Sequence, residues 1–129
     1  MPNMEQFTYQ QQIAIMRILL DIIHADGRID ARESFFFNKL KKEFNLSDSE
    51  HEIVNAKNSL LALAQVREMD PEHKDYFANL MSKMIVIDED INVNEIAIYE
   101  LVCEICSIEI KFQDTLDKSA TFTKSECLE

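Results

Sequence analysis

Two acidic turns carry the residues best suited to chemistry. Asp26-Gly27-Arg28-Ile29-Asp30-Ala31-Arg32-Glu33 and Asp88-Glu89-Asp90-Ile91-Asn92-Val93-Asn94-Glu95 share the spacing Asp-x-x-x-Asp/Asn-x-x-Glu. Carboxylate and amide oxygens are hard ligands, which favour Ca²⁺ first and Mg²⁺ or Mn²⁺ behind it, whereas Zn²⁺ asks for His or Cys. The candidate metal ligands are therefore Asp26, Asp30, Glu33, Asp88, Asn92 and Glu95. The first turn copies the second half of a helix-loop-helix calcium loop, with Asp, Gly, a central Ile and a closing Glu. The first half is missing. Its ligand positions fall on Ile22 and His24, and in the second turn on Met84 and Val86, where Glu89 also replaces the Gly. An ordinary calcium loop of that kind is excluded.

A plainer role competes for the same residues. Asp30 with Glu33, and Asn92 with Glu95, have the spacing of a capping box, which starts a helix without any ion. Asp26 and Asp88 are not needed by the caps, and five carboxylates gathered in one place repel unless a cation, Arg or Lys intervenes.

The elements that must position these turns are helical. One Gly and two Pro in 129 residues leave little turn chemistry for an all-β fold. Residues 5–24 have a helical period, with Gln10, Arg17, Asp21 and His24 on a narrow polar stripe and apolar side chains nearly all round from Ile13 to Ile23. Such a helix sits centrally. A second runs from the Asp30 cap to Asn45-Leu46 with Phe36, Phe37, Leu40 and Phe44 inward. The Ser47-Asp48-Ser49-Glu50 capping box opens a third through about Ala56, and a fourth covers Ser59 to Arg67 with Leu60, Leu61, Leu63, Ala64 and Val66. Asp70-Pro71 starts a fifth through Ile87, with Phe77, Leu80, Met81, Met84 and Ile85 inward. Asn92 opens a sixth to Cys106, and a short helix near Glu109 to Leu116 follows.

The two halves match at an offset of 62 residues, pairing Ile23 with Ile85, Asp26 with Asp88, Ile29 with Ile91 and Glu33 with Glu95. Identities are few, but apolar positions coincide throughout, as in Phe37 with Tyr99, Leu40 with Val102 and Leu46 with Ile108. The expectation is a single all-α domain of six to seven helices over residues 1–118, built from two pseudo-repeated halves, with a tail at 119–129 whose final Leu128-Glu129 matches a cloning scar. A pseudo-two-fold would pack the long first helices of the two halves together and bring the acidic turns to related positions.

Charge narrows the partners. Thirteen Lys and Arg against 24 Asp and Glu give a net charge of −11, which repels nucleic-acid phosphates and favours cations or basic protein surfaces. The most apolar run, Ile13 to Ile23, is broken by Arg17 and Asp21 and falls short of the roughly 20 residues a bilayer span needs. With no signal-peptide pattern and an odd number of cysteines, Cys103, Cys106 and Cys127, the expected location is the reducing cytoplasm.

The turn His24-Ala25-Asp26-Gly27-Arg28-Ile29-Asp30-Ala31-Arg32-Glu33, following an apolar helix, resembles the signature of the tellurite-resistance TerB family, and the resemblance extends over roughly Ile13 to Ile108. It implies a single all-helical domain of about seven helices and a cation site formed by acidic residues of both halves. Members of that family are associated with tellurium and other chemical stress, and related domains serve as modules in larger proteins, including J-domain co-chaperones. Glu89 stands where the family usually has Gly, and Asn92 where a stronger ligand is expected, so the second half is the poorer ligand set.

Other candidates point to structure. Cys103-Glu104-Ile105-Cys106 is a C-x-x-C without a second ligand pair and reads as buried apolar positions. His24, His51 and His73 are scattered and expected at exposed or helix-end positions, and no nucleophile-base order or Gly-rich phosphate loop is present. Phe35 is the spare ring beside Phe36 and Phe37; core packing is the expectation, with a contact patch as the alternative. The expected function is a non-enzymatic, TerB-like stress-response module that binds a divalent cation and contacts a protein partner. The alternative is a metal-free interaction domain using its acidic surface.

Overall fold

The structure is a computed structural model that describes residues 7–25, 27, 30–87 and 91–115. Six α-helices succeed one another without a strand among the described residues: α1 (Tyr9–Ile23), α2 (Ala31–Glu43), α3 (Asp48–Ala56), α4 (Ser59–Arg67), α5 (Pro71–Val86) and α6 (Val93–Cys106). A further helical turn covers residues 112–115. The all-α expectation holds.

The start of α1 is set later than the periodicity suggested. Thr8 caps it, accepting from the Gln11 backbone N–H at 3.1 Å while the Gln11 side chain accepts from the Thr8 N–H at 2.9 Å. This Thr-x-x-Gln box fixes the first helical residue at Tyr9. Nine of the fifteen residues of α1 are buried, so it runs through the middle of the core. At its end Gly27 takes φ +76°, a left-handed conformation that side chains resist, and its N–H returns to the His24 carbonyl at 3.1 Å.

The duplication is visible in the structure position by position. The 62-residue offset that relates the two sequence halves carries Tyr9 onto Pro71 and Ala31 onto Val93, the first residues of α1, α5, α2 and α6. It also carries the Thr8 and Asp30 caps onto those of Asp70 and Asn92. Both second helices end alike. Asn45 and Ser107 each take φ +60°, and the next N–H reaches back to close the last turn, Leu46 to the Lys41 carbonyl at 3.0 Å and Ile108 to that of Cys103 at 2.8 Å. The buried Leu46 and Ile108 supply the apolar contact that accompanies such an ending.

Packing follows the same symmetry. α1 and α5 touch each other, and each touches both α2 and α6. Those are the pairings a pseudo-two-fold requires. α3 lies on α1, and the 112–115 turn, its counterpart, is tied to α5 through the hydroxyls of Thr115 and Ser82 at 2.7 Å. Thr115 Oγ1 is also 2.6 Å from the Phe112 carbonyl oxygen. The Thr115 hydroxyl is the donor to both, its one proton shared between the Ser82 hydroxyl and the Phe112 carbonyl.

α4 has no counterpart among the described residues and packs on α1 and α6. Only Ala62, Leu63 and Val66 of α4 are buried, because a helix of nine residues laid against the body covers one stripe. Leu60 and Leu61, taken from the sequence as part of its apolar content, face outward at 73% and 61% exposure. Phe36 is half-buried at the core margin, and Phe35 is 72% exposed, against its assignment to the core. With Phe37 and Leu40 turned inward, Phe35 lies on the far side of α2 at 100° per residue.

The two second helices have diverged in charge. α2 carries Arg32, Lys39, Lys41 and Lys42 against Glu33 and Glu43, whereas α6 carries Glu95, Glu100 and Glu104 and no cation.

Candidate functional site

The acidic pattern lies where helices α1 and α5 hand over to α2 and α6. Asp30 caps α2: its Oδ1 accepts from the Arg32 backbone N–H at 2.7 Å and faces the Arg32 guanidinium at 3.4 Å. That backbone hydrogen bond, helped by the guanidinium, holds its carboxyl below the usual carboxylate range. Asn92 caps α6 in the same way, accepting from the Asn94 N–H at 2.8 Å.

The capping box expected at these two starts gives way to a simpler cap. At α3 the Glu50 carboxylate folds back to accept from the Ser47 N–H at 2.8 Å, as a box demands. Glu33 and Glu95, at the corresponding third positions of α2 and α6, are instead sunk into the protein at 2% and 1% exposure. Two carboxylates buried at equivalent places of a repeat are costly features, because charge leaves water only where other charge or hydrogen bonds meet it. The first turn of a helix offers part of that compensation through its open N–H groups and dipole.

Asp26 and Asp88, the two ligands that capping does not need, lie outside the described residues, as do Arg28, Ile29, Glu89 and Asp90. Asp30, Glu33, Asn92 and Glu95 are thus the part of the candidate ligand set that is placed. Among the described residues no three Asp, Glu, His or Cys side chains gather into a metal-holding group. The donor set nonetheless consists of carboxylate and amide oxygens throughout, which fits a hard cation and not a thiophilic one.

The cysteines of the C-x-x-C are buried, as their spacing on a core-facing helix suggested. Cys106 donates to the Leu63 carbonyl at 3.4 Å, and burial pushes its thiol up to about 11. Burial raises Cys103 as well. Neither thiol is activated. Beside them, the Tyr99 hydroxyl donates to the Ile110 carbonyl at 2.8 Å and its ring meets Phe112 edge-on at 5.5 Å, so the phenol too is raised by desolvation. His24 is exposed, but His51 and His73 are half-buried against aromatic rings, Phe37 at 5.9 Å and Phe7 at 4.8 Å.

Two features escaped the sequence. Arg17 and Asp21 on the polar stripe of α1 form an ion pair that also grips the α3–α4 junction. Ser59 donates to Asp21 Oδ2 at 2.7 Å, and Arg17 donates to the Ser59 hydroxyl at 3.2 Å and the Asn55 carbonyl at 2.8 Å. The stripe spacing signalled the pair but not its distant partners. The second feature is a groove of about 740 Å³ between α6 and the returning segment 108–113. Its signal was the Glu100–Glu104 repeat on the outer face of α6, which reads like any solvated helix until the chain is seen to double back beside it.

The chain is similar in fold to the crystal structure of a protein of unknown function from Porphyromonas gingivalis, with a TM-score of 0.68 and 22% identity over 87% of this chain and 96% of that one. No protein-family model and no curated protein matches the sequence. At that identity the likeness establishes the fold alone.

Proposed function

We propose that the protein is a TerB-like, non-enzymatic module of chemical-stress response that binds a divalent cation through the acidic turns of its two repeats and contacts a protein partner, in the cytoplasm. The observation that carries the cation reading is the matched burial of Glu33 and Glu95, at 2% and 1% exposure, beside turns that each add an Asp the caps do not use. Asp26, Asp30, Glu33, Asp88, Asn92 and Glu95 would hold the ion, Ca²⁺ ahead of Mg²⁺ or Mn²⁺, and the ion would supply charge neutralisation between the halves. A binding role, in preference to catalysis, is supported by thiols that burial holds in their unreactive form. The metal-free alternative, an interaction domain with an acidic surface, is favoured by the exposed Glu100 and Glu104 of α6, which form no ion pair among the described residues.

Titration calorimetry with Ca²⁺, Mg²⁺ and Mn²⁺, paired with thermal melts, tests the cation reading. Wild type is expected to gain RT ln(1 + [L]/Kd), about 2.7 kcal/mol at a hundredfold excess of ion over Kd, and the Asp26→Asn, Asp88→Asn double variant almost nothing. Equal responses of the two proteins, or no heat and no melting shift at millimolar ion, would overturn it.

A further inference from the structure

The groove beside α6 has a floor and a rim of different chemistry. Its floor is apolar, formed by Ile96, Tyr99, Cys103, Ile108, Ile110 and Phe112. Its rim is acidic on both walls, with Glu100 and Glu104 from α6 and Glu109 from the returning segment, against Lys111 as the one cation lining it among the described residues. All three glutamates are exposed, and none forms an ion pair among the described residues. The chain reaches this arrangement through the left-handed Ser107, which turns the backbone sharply after α6 so that 108–113 runs back beside the helix.

We propose that this groove docks a basic amphipathic helix of a partner protein. The apolar floor would take one face of such a helix, in the manner of helix-in-groove recognition. Glu100 and Glu104 stand one turn apart, about 6 Å along the axis of α6, which matches two lysines or arginines one turn apart on the incoming helix. Glu109 meets cations on the opposite flank. The overall charge of −11 works in the same direction, since it draws cationic chains to the surface and repels a second copy of this one. The site lies on the outer side of α6 and uses none of the candidate ion ligands, so it stands or falls apart from cation binding and gives the proposed partner contact a place and a chemistry.

The test uses the intact protein and a fluorescently labelled Leu/Lys peptide whose lysines fall one helical turn apart, with a Leu/Glu peptide of the same pattern as control. Anisotropy should rise with the first peptide and not the second. Reversing the rim with Glu100→Lys and Glu104→Lys should weaken binding by at least about tenfold, since both charges are met directly. Reversing two exposed glutamates elsewhere, Glu52→Lys and Glu72→Lys, changes the net charge equally and should weaken it by less than about threefold. Ile110→Ala, which leaves every rim charge in place, should also weaken binding through the lost floor contact. Circular dichroism on each variant separates loss of binding from loss of fold. Equal weakening by the two charge-reversed pairs, or no effect of Ile110→Ala, would show diffuse attraction only and overturn the proposal. So would sedimentation showing that the groove is already covered by a second copy.

Discussion

The shared ending of α2 and α6 allows a paired experiment on backbone strain. Asn45 and Ser107 occupy equivalent places, both at φ +60°, both exposed, and each followed by a buried apolar residue. A left-handed conformation costs an ordinary L-residue about 1–2 kcal/mol, whereas Asn tolerates it through local hydrogen bonding. Glycine adopts it freely but gives up about 0.5–1 kcal/mol in unfolded-chain entropy. The balance predicts that Ser107→Gly stabilises the protein by about 0.5–1 kcal/mol, while Asn45→Gly stays within about 0.5 kcal/mol of zero. For a chain of this size that is a rise in Tm of roughly 2–5 °C for the first variant and little for the second. Urea denaturation at fixed pH, fitted with a common m-value, reads both. If Ser107→Gly destabilises, or the two glycines act alike, strain at Ser107 is not what the backbone geometry says it is.

Two other outcomes are expected. Cys103 and Cys106 should resist a disulfide reagent at about pH 8 in the folded protein and react promptly in urea, as read by peptide mapping; labelling at the denatured rate would contradict their burial. Acid should unfold the protein partly through Asp30 and Glu50, whose carboxyls are held below their ordinary values by the backbone N–H groups of Arg32 and Ser47. A depressed folded-state pKa stabilises above the unfolded value and is lost as the pH falls through the folded one, so Asp30→Asn should flatten the acid limb of a stability-against-pH curve while keeping its cap.

The fold was legible because its signals are local. Helix starts at Ser47, Asp70 and Asn92 depend on residues within one turn of each other, and the structure places α3, α5 and α6 where those caps said. The buried carboxylates were hidden by the same local logic: a Glu three residues after an Asp or Asn reads as a box, and only the packing shows that Glu33 and Glu95 turn inward. Phe35 was misplaced for a related reason, which also leaves Leu60 and Leu61 outside. Apolar character says that a residue prefers burial, but α4 and α2 each have only one neighbouring face to offer. The Arg17–Asp21–Ser59 link joins residues 38 and 42 positions apart, a separation at which no periodicity speaks.

The charge divergence of the repeats has a kinetic consequence. With four cations against two carboxylates on α2 and three carboxylates without a cation on α6, the two equivalent helices carry opposite net signs. A cationic partner would be attracted by the α6 face and repelled by the α2 face before contact. Productive collisions then become a larger fraction of all collisions, and the association rate constant should fall with ionic strength more steeply than for the same charges evenly spread.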